Sequence, residues 1–290
     1  RYKAFDAMYR RTSVTNTDGD TWSYGYNPRG ELDDAEKRTG VTTDVVPGYL
    51  WDYEYDDIGN RDTVTRNGRE DAYTPNALNQ YDAIALAPFT TIMGASTADI
   101  SLDGTAAQTD GEHFAIEGEF TDSPSPELAT FSLTGTLAGA GDDGRDAVAD
   151  FEVEAFYPGN AFTPQYDTAG NLTANGQWHF VYNGENRLIH AWTLPVAAAA
   201  GVTPQRVSFN YDGEGRRFIK TVYSLVGNPN LYVGTSPTSD TWTITESRRF
   251  IYDGWNLIVE LDDTASIIQS YIWGMDISGT WQGAGGVGGL

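Results

Sequence analysis

"YDTAGNLTANGQWHFVYNGENRLI" spans residues 166–189 and states one short pattern twice. Tyr166-Asp167, two variable residues and Gly170-Asn171-Leu172 are followed, after an apolar run, by Tyr182-Asn183-Gly184-Glu185-Asn186-Arg187-Leu188. Each part has a local physical job. An aspartate or asparagine at the first turn position accepts hydrogen bonds from backbone N–H groups just ahead of it. Two residues of a type I turn come next, and glycine then takes the left-handed conformation that makes a G1 bulge. The tyrosine before the turn and the aliphatic residue after it fall on paired strands. The unit reads as a β-hairpin.

The unit recurs along the chain. Phe5-Asp6 leads to Arg10-Arg11, Tyr26-Asn27-Pro28-Arg29-Gly30 to Glu31-Leu32, and Tyr55-Asp56-Asp57-Ile58-Gly59 to Asn60-Arg61. Tyr81-Asp82 reads as a weaker copy. Tyr211-Asp212-Gly213-Glu214-Gly215 precedes Arg216-Arg217, and Tyr252-Asp253-Gly254-Trp255-Asn256 lacks the late glycine. The spacing is unequal, looser than a strict solenoid allows. Between turns, "TWSYGYN", "WHFVYN", "RVSFNYD" and "RRFIYD" alternate or run apolar with β-forming residues. Isolated hairpins are marginal in water, so the units must pair edge to edge to bury their aromatics.

Composition agrees. Of 290 residues, 40% are hydrophobic and 13% aromatic, with 32 glycines and 17 tyrosines, a mix that favours strands and tight turns over helices. Eighteen Lys and Arg against 41 Asp and Glu leave a formal charge of −23, a surface that repels nucleic acid. With no cysteine, the chain has neither disulfides nor thiolate metal sites. Its most apolar stretch, "AWTLPVAAAAGV" from Ala191, is short and broken by Pro195, far below a bilayer span. "RYKAFDAMYRRT" is not a charged start followed by an apolar run, so it does not read as a signal peptide. The chain begins within a repeat and ends in "GAGGVGGL", which reads as a segment of a longer polypeptide.

Residues 84–161 break the pattern. "ADISLDG", "HFAIEGEF", "ELATFSLTGTLAG" and "DAVADFEVEAFYPG" alternate between turn residues without the tyrosine-led unit. Short strands at this spacing predict a small β-sandwich inserted at a turn, where chain ends lie close together. The expected organisation is a repeat segment over 1–83, the insert over 84–161 and a second repeat segment over 162–290.

Taken in order, "YDDIGNR", "YDTAGNLT", "YNGENRLI", "YDGEGRR" and "YDGWNLIVE" resemble the YD repeats of Rhs proteins. The closing "YIWGMDISGTWQGAGGVGGL" and "WSYGYNPRGEL" make the chain similar to bacterial Rhs-type carriers rather than to animal teneurins. The resemblance covers residues 1–82 and 162–290. It implies a β-sheet spiralling into a hollow shell that encloses a C-terminal effector, released by aspartate-dependent self-cleavage. This chain contains no Asp-Pro dipeptide, the usual mark of that cleavage core, so no catalytic residue is carried over.

Other chemistry finds little support. Gly139, Gly141 and Gly144, and again Gly283, Gly285 and Gly288, formally satisfy G-x-G-x-x-G. The first run leads into an alternating strand pattern and sets Asp142 and Asp143 where phosphates would lie; the second runs out of chain. Asn16, Asp18 and Asp20 imitate the start of a calcium loop, but Thr21 and Asn27 replace its glycine and its bidentate glutamate. Asp142, Asp143 and Asp146 are weak calcium candidates against the reading of a solvated acidic turn. His113, His179 and His190 are not at zinc-ligand spacing. There is no G-x-S-x-G elbow, and among 41 acids no pair stands out for glycoside hydrolysis. Trp22, Trp51, Trp178, Trp192, Trp242, Trp255, Trp273 and Trp281 could stack sugars, although rings in β-rich arrays mostly fill cores.

The expectation is therefore an all-β, non-catalytic segment of a secreted or surface-displayed bacterial shell, with no cofactor. Its turns are scaffold: Tyr26, Asn27 and Gly30; Tyr55, Asp56 and Gly59; Tyr166, Asp167 and Gly170; Tyr182 and Asn183; Tyr211, Asp212 and Gly215; Tyr252 and Asp253. Expected partners are the remaining repeats or other copies, joined through sheet edges, and an enclosed toxin; neither nucleic acid nor a membrane span is expected. The alternative is an adhesin whose insert binds glycans, and a glycoside hydrolase is the remote one.

Overall fold

The computed structural model describes residues 2–17, 19–40, 44–226, 242–275, 278–280 and 283. Asp18, Trp281, Gly285 and Gly288 lie outside the described residues. The chain is all-β, built of several antiparallel sheets, and divides into two compact units, Arg1–Pro164 and Gln165–Leu290.

The first unit opens as a meander in which strands from Tyr2–Phe5 to Tyr81–Ala85 pair with their neighbours in chain order. The period of two sorts its side chains. Trp22, Trp51, Tyr53, Val64, Asp71 and Tyr73 share one face, and Asp34, Asp52 and Glu54 share the other. Asp34 pairs directly with Asp52. Burial, and then the neighbouring charges of Asp33, Glu36 and Asp52, push the Asp34 carboxyl above its ordinary value. On the aromatic face Trp22 stacks on Trp51 at 5.8 Å and meets Tyr49 edge-on at 5.6 Å.

After Ala85 the chain leaves this sheet. It returns as Ala161–Phe162, which pairs with the same strand it left, Ala161 against Ala85 and Phe162 against Ile84. The intervening strands make two small sheets. Glu127–Leu137 and Ala147–Tyr157 form a long hairpin extended by Asp99–Leu102 and Thr105–Ala106, while His113–Glu119 lies between Gln108–Asp110 and Phe89–Ala95. Both sheets contribute to one core of Ile100, Leu102, Phe114, Ile116, Phe120, Phe131, Leu133 and Tyr157. The fit is tight enough to demand glycine at Gly118, where a Cβ would lie 2.5 Å from the Phe131 ring.

Buried charges tie these strands to the meander. Asp20, 5% exposed, accepts from Lys37 Nζ at 2.6 Å and faces His113 Nε2 at 3.1 Å. Asp71, 3% exposed, pairs with Arg66 at 2.9 Å and accepts the Ala87 N–H at 2.9 Å. Arg69 reaches Glu117 at 3.2 Å and also pairs with Glu119. A buried carboxylate is tolerated only with such partners.

The second unit is another meander, from Gln165–Tyr166 to Ile267–Ser270, again in chain order. "AWTLPVAAAAGV" ends one strand, Leu188–Thr193, and makes a single helical turn, Pro195–Ala199. Pro195 suits the first position of that turn, where no N–H is needed. Ala198 packs on buried Trp192, beside Val181, Leu225 and Trp242.

Gly118→Ala should cost about 1–3 kcal/mol through forced displacement of Phe131. Phe131→Leu alone should also destabilise, whereas the double variant should lose less than the two separate losses combined, because the sites share one contact. Urea unfolding of the four proteins measures the coupling.

Candidate functional site

The tyrosine-led turns are where sequence and geometry converge. At Asp6, Asn27, Asp56, Asn76, Asp167, Asn183, Asp212 and Asp262 the side-chain oxygen accepts from the backbone N–H groups two and four residues ahead. At Asp56 these are Ile58 and Asn60, at 3.0 and 2.8 Å. The others follow the same rule. The fourth residue donates back to the first carbonyl and holds positive φ: Gly30 at 90°, Gly59 at 92°, Gly170 at 87° and Gly215 at 84°. Where glycine is absent, Tyr9, Asn79, Asn186 and Ala265 take the same conformation. Tyr252-Asp253 differs, entering a two-residue turn with Gly254 at φ 56°.

Three features were not legible in the pattern. One residue pair beyond each turn the ladder shifts register again, so a second bulge follows the first. Tyr81-Asp82 is also not a turn of its own. The turn is Asn76–Gln80, Pro75 stands in the tyrosine position, and Tyr81 pairs with Pro75 across the hairpin. The Asp262–Ser266 turn lacks both tyrosine and glycine, and only its aspartate, capping two N–H groups, signals it.

In each meander alternate turns fall at the same end of the sheet, so Asp6, Asn27, Asp56 and Asn76 line one rim, as do Asp167, Asn183, Asp212 and Asp253 in the second unit. At that rim successive hairpins have no covalent link. Tyrosine supplies a hydrogen bond there instead. Tyr26 Oη donates to the Arg11 carbonyl at 2.8 Å, Tyr55 to Leu32 at 2.7 Å, Tyr211 to Leu188 at 2.8 Å and Tyr252 to Arg217 at 2.9 Å. In every case the acceptor is the residue directly opposite the preceding unit's aromatic. Trp273 Nε1 does the same to Leu257, opposite Tyr252, at 2.6 Å.

At three turns the last residue adds to the latch. Arg10 lies over the Tyr26 ring at 4.6 Å, Arg187 over Tyr211 at 5.1 Å and Arg216 over Tyr252 at 5.5 Å. Arg10 and Arg216 also close on their own turn aspartates, Asp6 and Asp212. Turns touch one another as well: Arg29 donates to the Asp56 carbonyl at 2.6 Å, and Asn171 to Asn186 Oδ1 at 2.9 Å. A Cβ on Gly59 would sit 2.8 Å from Glu31 Oε1, so this glycine serves both its φ and the neighbouring turn.

These contacts lower the turn carboxyls. The Asn60 and Asn171 side chains, with backbone N–H groups, hold Asp56 and Asp167 below the ordinary value. For Asp6 and Asp212 desolvation raises the carboxyl, and the bonds to Arg10 and Arg216 more than reverse it. Thr264 and Ser266 lower Asp262.

The remaining candidates do not assemble. Asp142 and Asp143 sit in a single 3-10 turn and Asp146 accepts from the Gly139 N–H at 3.0 Å. Among the described residues no group of three or more potential ligands could hold a metal. His179 packs on Trp192 at 4.3 Å, and burial lowers its ring nitrogen's pKa; His190 meets Ser208 Oγ at 3.1 Å. Among the described residues the tryptophans form no row: Trp192 is buried, Trp255 is 59% exposed, and Trp22 and Trp51 cover each other. A cleft of about 480 Å³ lies where the intervening strands meet the first meander, lined by Tyr53, Arg61, Arg66, Asp71, Phe89 and Tyr157. Asp71 is its one carboxylate, and Arg66 neutralises it. No helix among the described residues is long and apolar enough to cross a membrane.

No family model matches this chain, and no curated protein does. Solved structures do. One is the Photorhabdus luminescens Tc holotoxin pore with a mutated TccC3, 14% identical, TM-score 0.33, overlapping 94% of this chain and 15% of that one. Another is the TcdB2–TccC3–Cdc42 complex, 16% identical, TM-score 0.33, with the same coverage. A third is TcdB2–TccC3, 14% identical, TM-score 0.26, overlapping 93% of this chain and 16% of that one. The chain thus spans about 15% of the length of the chains it matches.

Tyr55→Phe and Tyr211→Phe should each cost about 0.5–1.5 kcal/mol, the net worth of one such bond, in chemical denaturation. The acid limb carries a second expectation. A carboxyl lowered in the folded state contributes stability fully present above the unfolded value near 3.8 and lost as pH falls through the folded one. Asp56→Asn and Asp212→Asn keep the turn geometry, as Asn27 and Asn183 show. The double variant should therefore unfold with a shallower pH dependence below about pH 4 than the parent, followed by circular dichroism.

Proposed function

We propose that this chain is a non-catalytic wall segment of an Rhs-type bacterial shell. One observation carries the reading: four hairpins are latched to their predecessors at one rim by the same tyrosine-to-carbonyl bond. Such a design serves continuous sheet and leaves its edges available. Ile267–Ser270 is an edge strand with every residue exposed. The partners are the neighbouring repeats of the same polypeptide or further copies of it, and what the wall encloses is a toxin-like cargo. Residues 84–161 act as a separate inserted domain on a secreted or surface-displayed body.

A second reading, an adhesin, is favoured by the aromatic and arginine-lined cleft beside Tyr53 and Arg61. Binding of sugars on a glycan array, abolished by Arg61→Ala, would support it.

The wall reading is tested in the full polypeptide that contains this segment. A protease site placed in the enclosed portion should resist digestion, and Tyr55→Ala, Tyr211→Ala and Tyr252→Ala together should expose it. Equal digestion with the latches intact would overturn the reading.

A further inference from the structure

Ala147–Tyr157 is an eleven-residue strand at the edge of its sheet, paired on one side only, with Glu127–Leu137. At the usual rise it offers about 35 Å of unpaired backbone. The other terminal strands are shorter, from Thr105–Ala106 in the same sheet to the seven residues of Phe89–Ala95. Exposed edges of this length are ordinarily blunted by charged side chains, above all lysine, by proline or by a bulge. This one has no lysine, proline or bulge, and its charges are all acidic: its register runs unbroken from Ala147 against Leu137 to Tyr157 against Glu127.

Its two faces differ. Asp150, Glu152 and Glu154 alternate along one face, all exposed, and among the described residues none has a Lys or Arg partner. Beyond the ladder, the side chains of the three make one hydrogen bond, from Thr134 Oγ1 to Asp150 at 2.7 Å. On the opposite face Ala147, Ala149 and Phe151 border an apolar trough of about 310 Å³, which Ile100, Gly135 and Leu137 complete. Phe151 is 42% exposed there.

We infer that this edge is a docking strand for an extended, basic protein segment, which adds as a fifth strand. Main-chain bonds to the open edge would supply affinity, and side chains at alternate positions specificity. Period two dictates the occupant's sequence. Lys or Arg at every second residue would lie beside Asp150, Glu152 and Glu154, and the residues between them, apolar, would lie beside Ala149 and Phe151 at the trough. A second copy of this chain, paired with like faces aligned, would set carboxylate against carboxylate, which disfavours it as the occupant.

The probe is a fluorescein-labelled peptide of about nine residues alternating Lys and Val, titrated into the whole chain with anisotropy as readout. Saturable binding is expected, with new hydrogen-exchange protection confined to residues 147–157. Glu152→Lys with Glu154→Lys should weaken it at least tenfold, and a peptide alternating Glu and Val should then bind the reversed chain in its place. Peptides N-methylated at every second residue, made in both registers, should not bind the parent in at least one register. Equal binding of the Lys peptide to the reversed chain, equal binding of both methylated peptides, or protection elsewhere in the chain would each overturn the inference.

Discussion

A tyrosine hydroxyl donating to a main-chain carbonyl of the preceding hairpin is the interaction on which these meanders depend. A meander joins its hairpins covalently at one end only. At the other, neighbouring strands are held by ladder bonds that end where the turns begin. Tyr26, Tyr55, Tyr211 and Tyr252 bridge that gap, and their acceptors are the carbonyls opposite the previous aromatic. Each bond is worth only about 1 kcal/mol net. Repetition, together with the guanidinium that covers three of those rings, turns marginal hairpins into sheet.

The same placement accounts for where the acids sit. A charge of −23 would strain a compact chain if its carboxylates were unpaired. Many are consumed locally. The turn aspartates accept two backbone N–H groups each, and Asp20 and Asp71 are paired inside the first unit. Asp34 is the exception on the meander, facing Asp52 across the ladder and titrating upward. Among the described residues, Asp150, Glu152 and Glu154 line one exposed strand face without a Lys or Arg partner.

How much of this could be read beforehand follows from range. Turn chemistry is local, so aspartate, two turn residues and a left-handed glycine were visible in "YDDIGN" and "YDTAGN". The pattern misled where one element was displaced: Tyr81 looked like the start of a unit, yet Pro75 holds that place. It fell silent at Asp262–Ser266, where Ala265 adopts φ 65° without glycine to announce it. Long-range partners left no trace. The hydroxyl of Tyr55 finds a carbonyl 23 residues away, and His113 meets Asp20 across 93. The second bulge is a property of register between strands, which no window on one strand contains.

Why the meander tolerates some seventy residues between Ala85 and Ala161 follows from how the excursion is closed. Its ends do not merely approach one another; Ala161 pairs with Ala85 itself, and the Leu86 N–H donates to the Asn160 carbonyl at 3.0 Å. Tyr157 Oη then donates to the Leu86 carbonyl at 3.0 Å, carrying a core side chain of the excursion down to its base. Loop-closure entropy rises only as the logarithm of length, so an excursion fastened at its neck costs little more than a long turn. The ladder runs on through Ala161–Phe162, and the rim contacts upstream, from Asp6 to Asn76, are untouched by what intervenes. A sheet assembled from locally specified, individually latched hairpins can therefore be interrupted at a turn without losing register on either side.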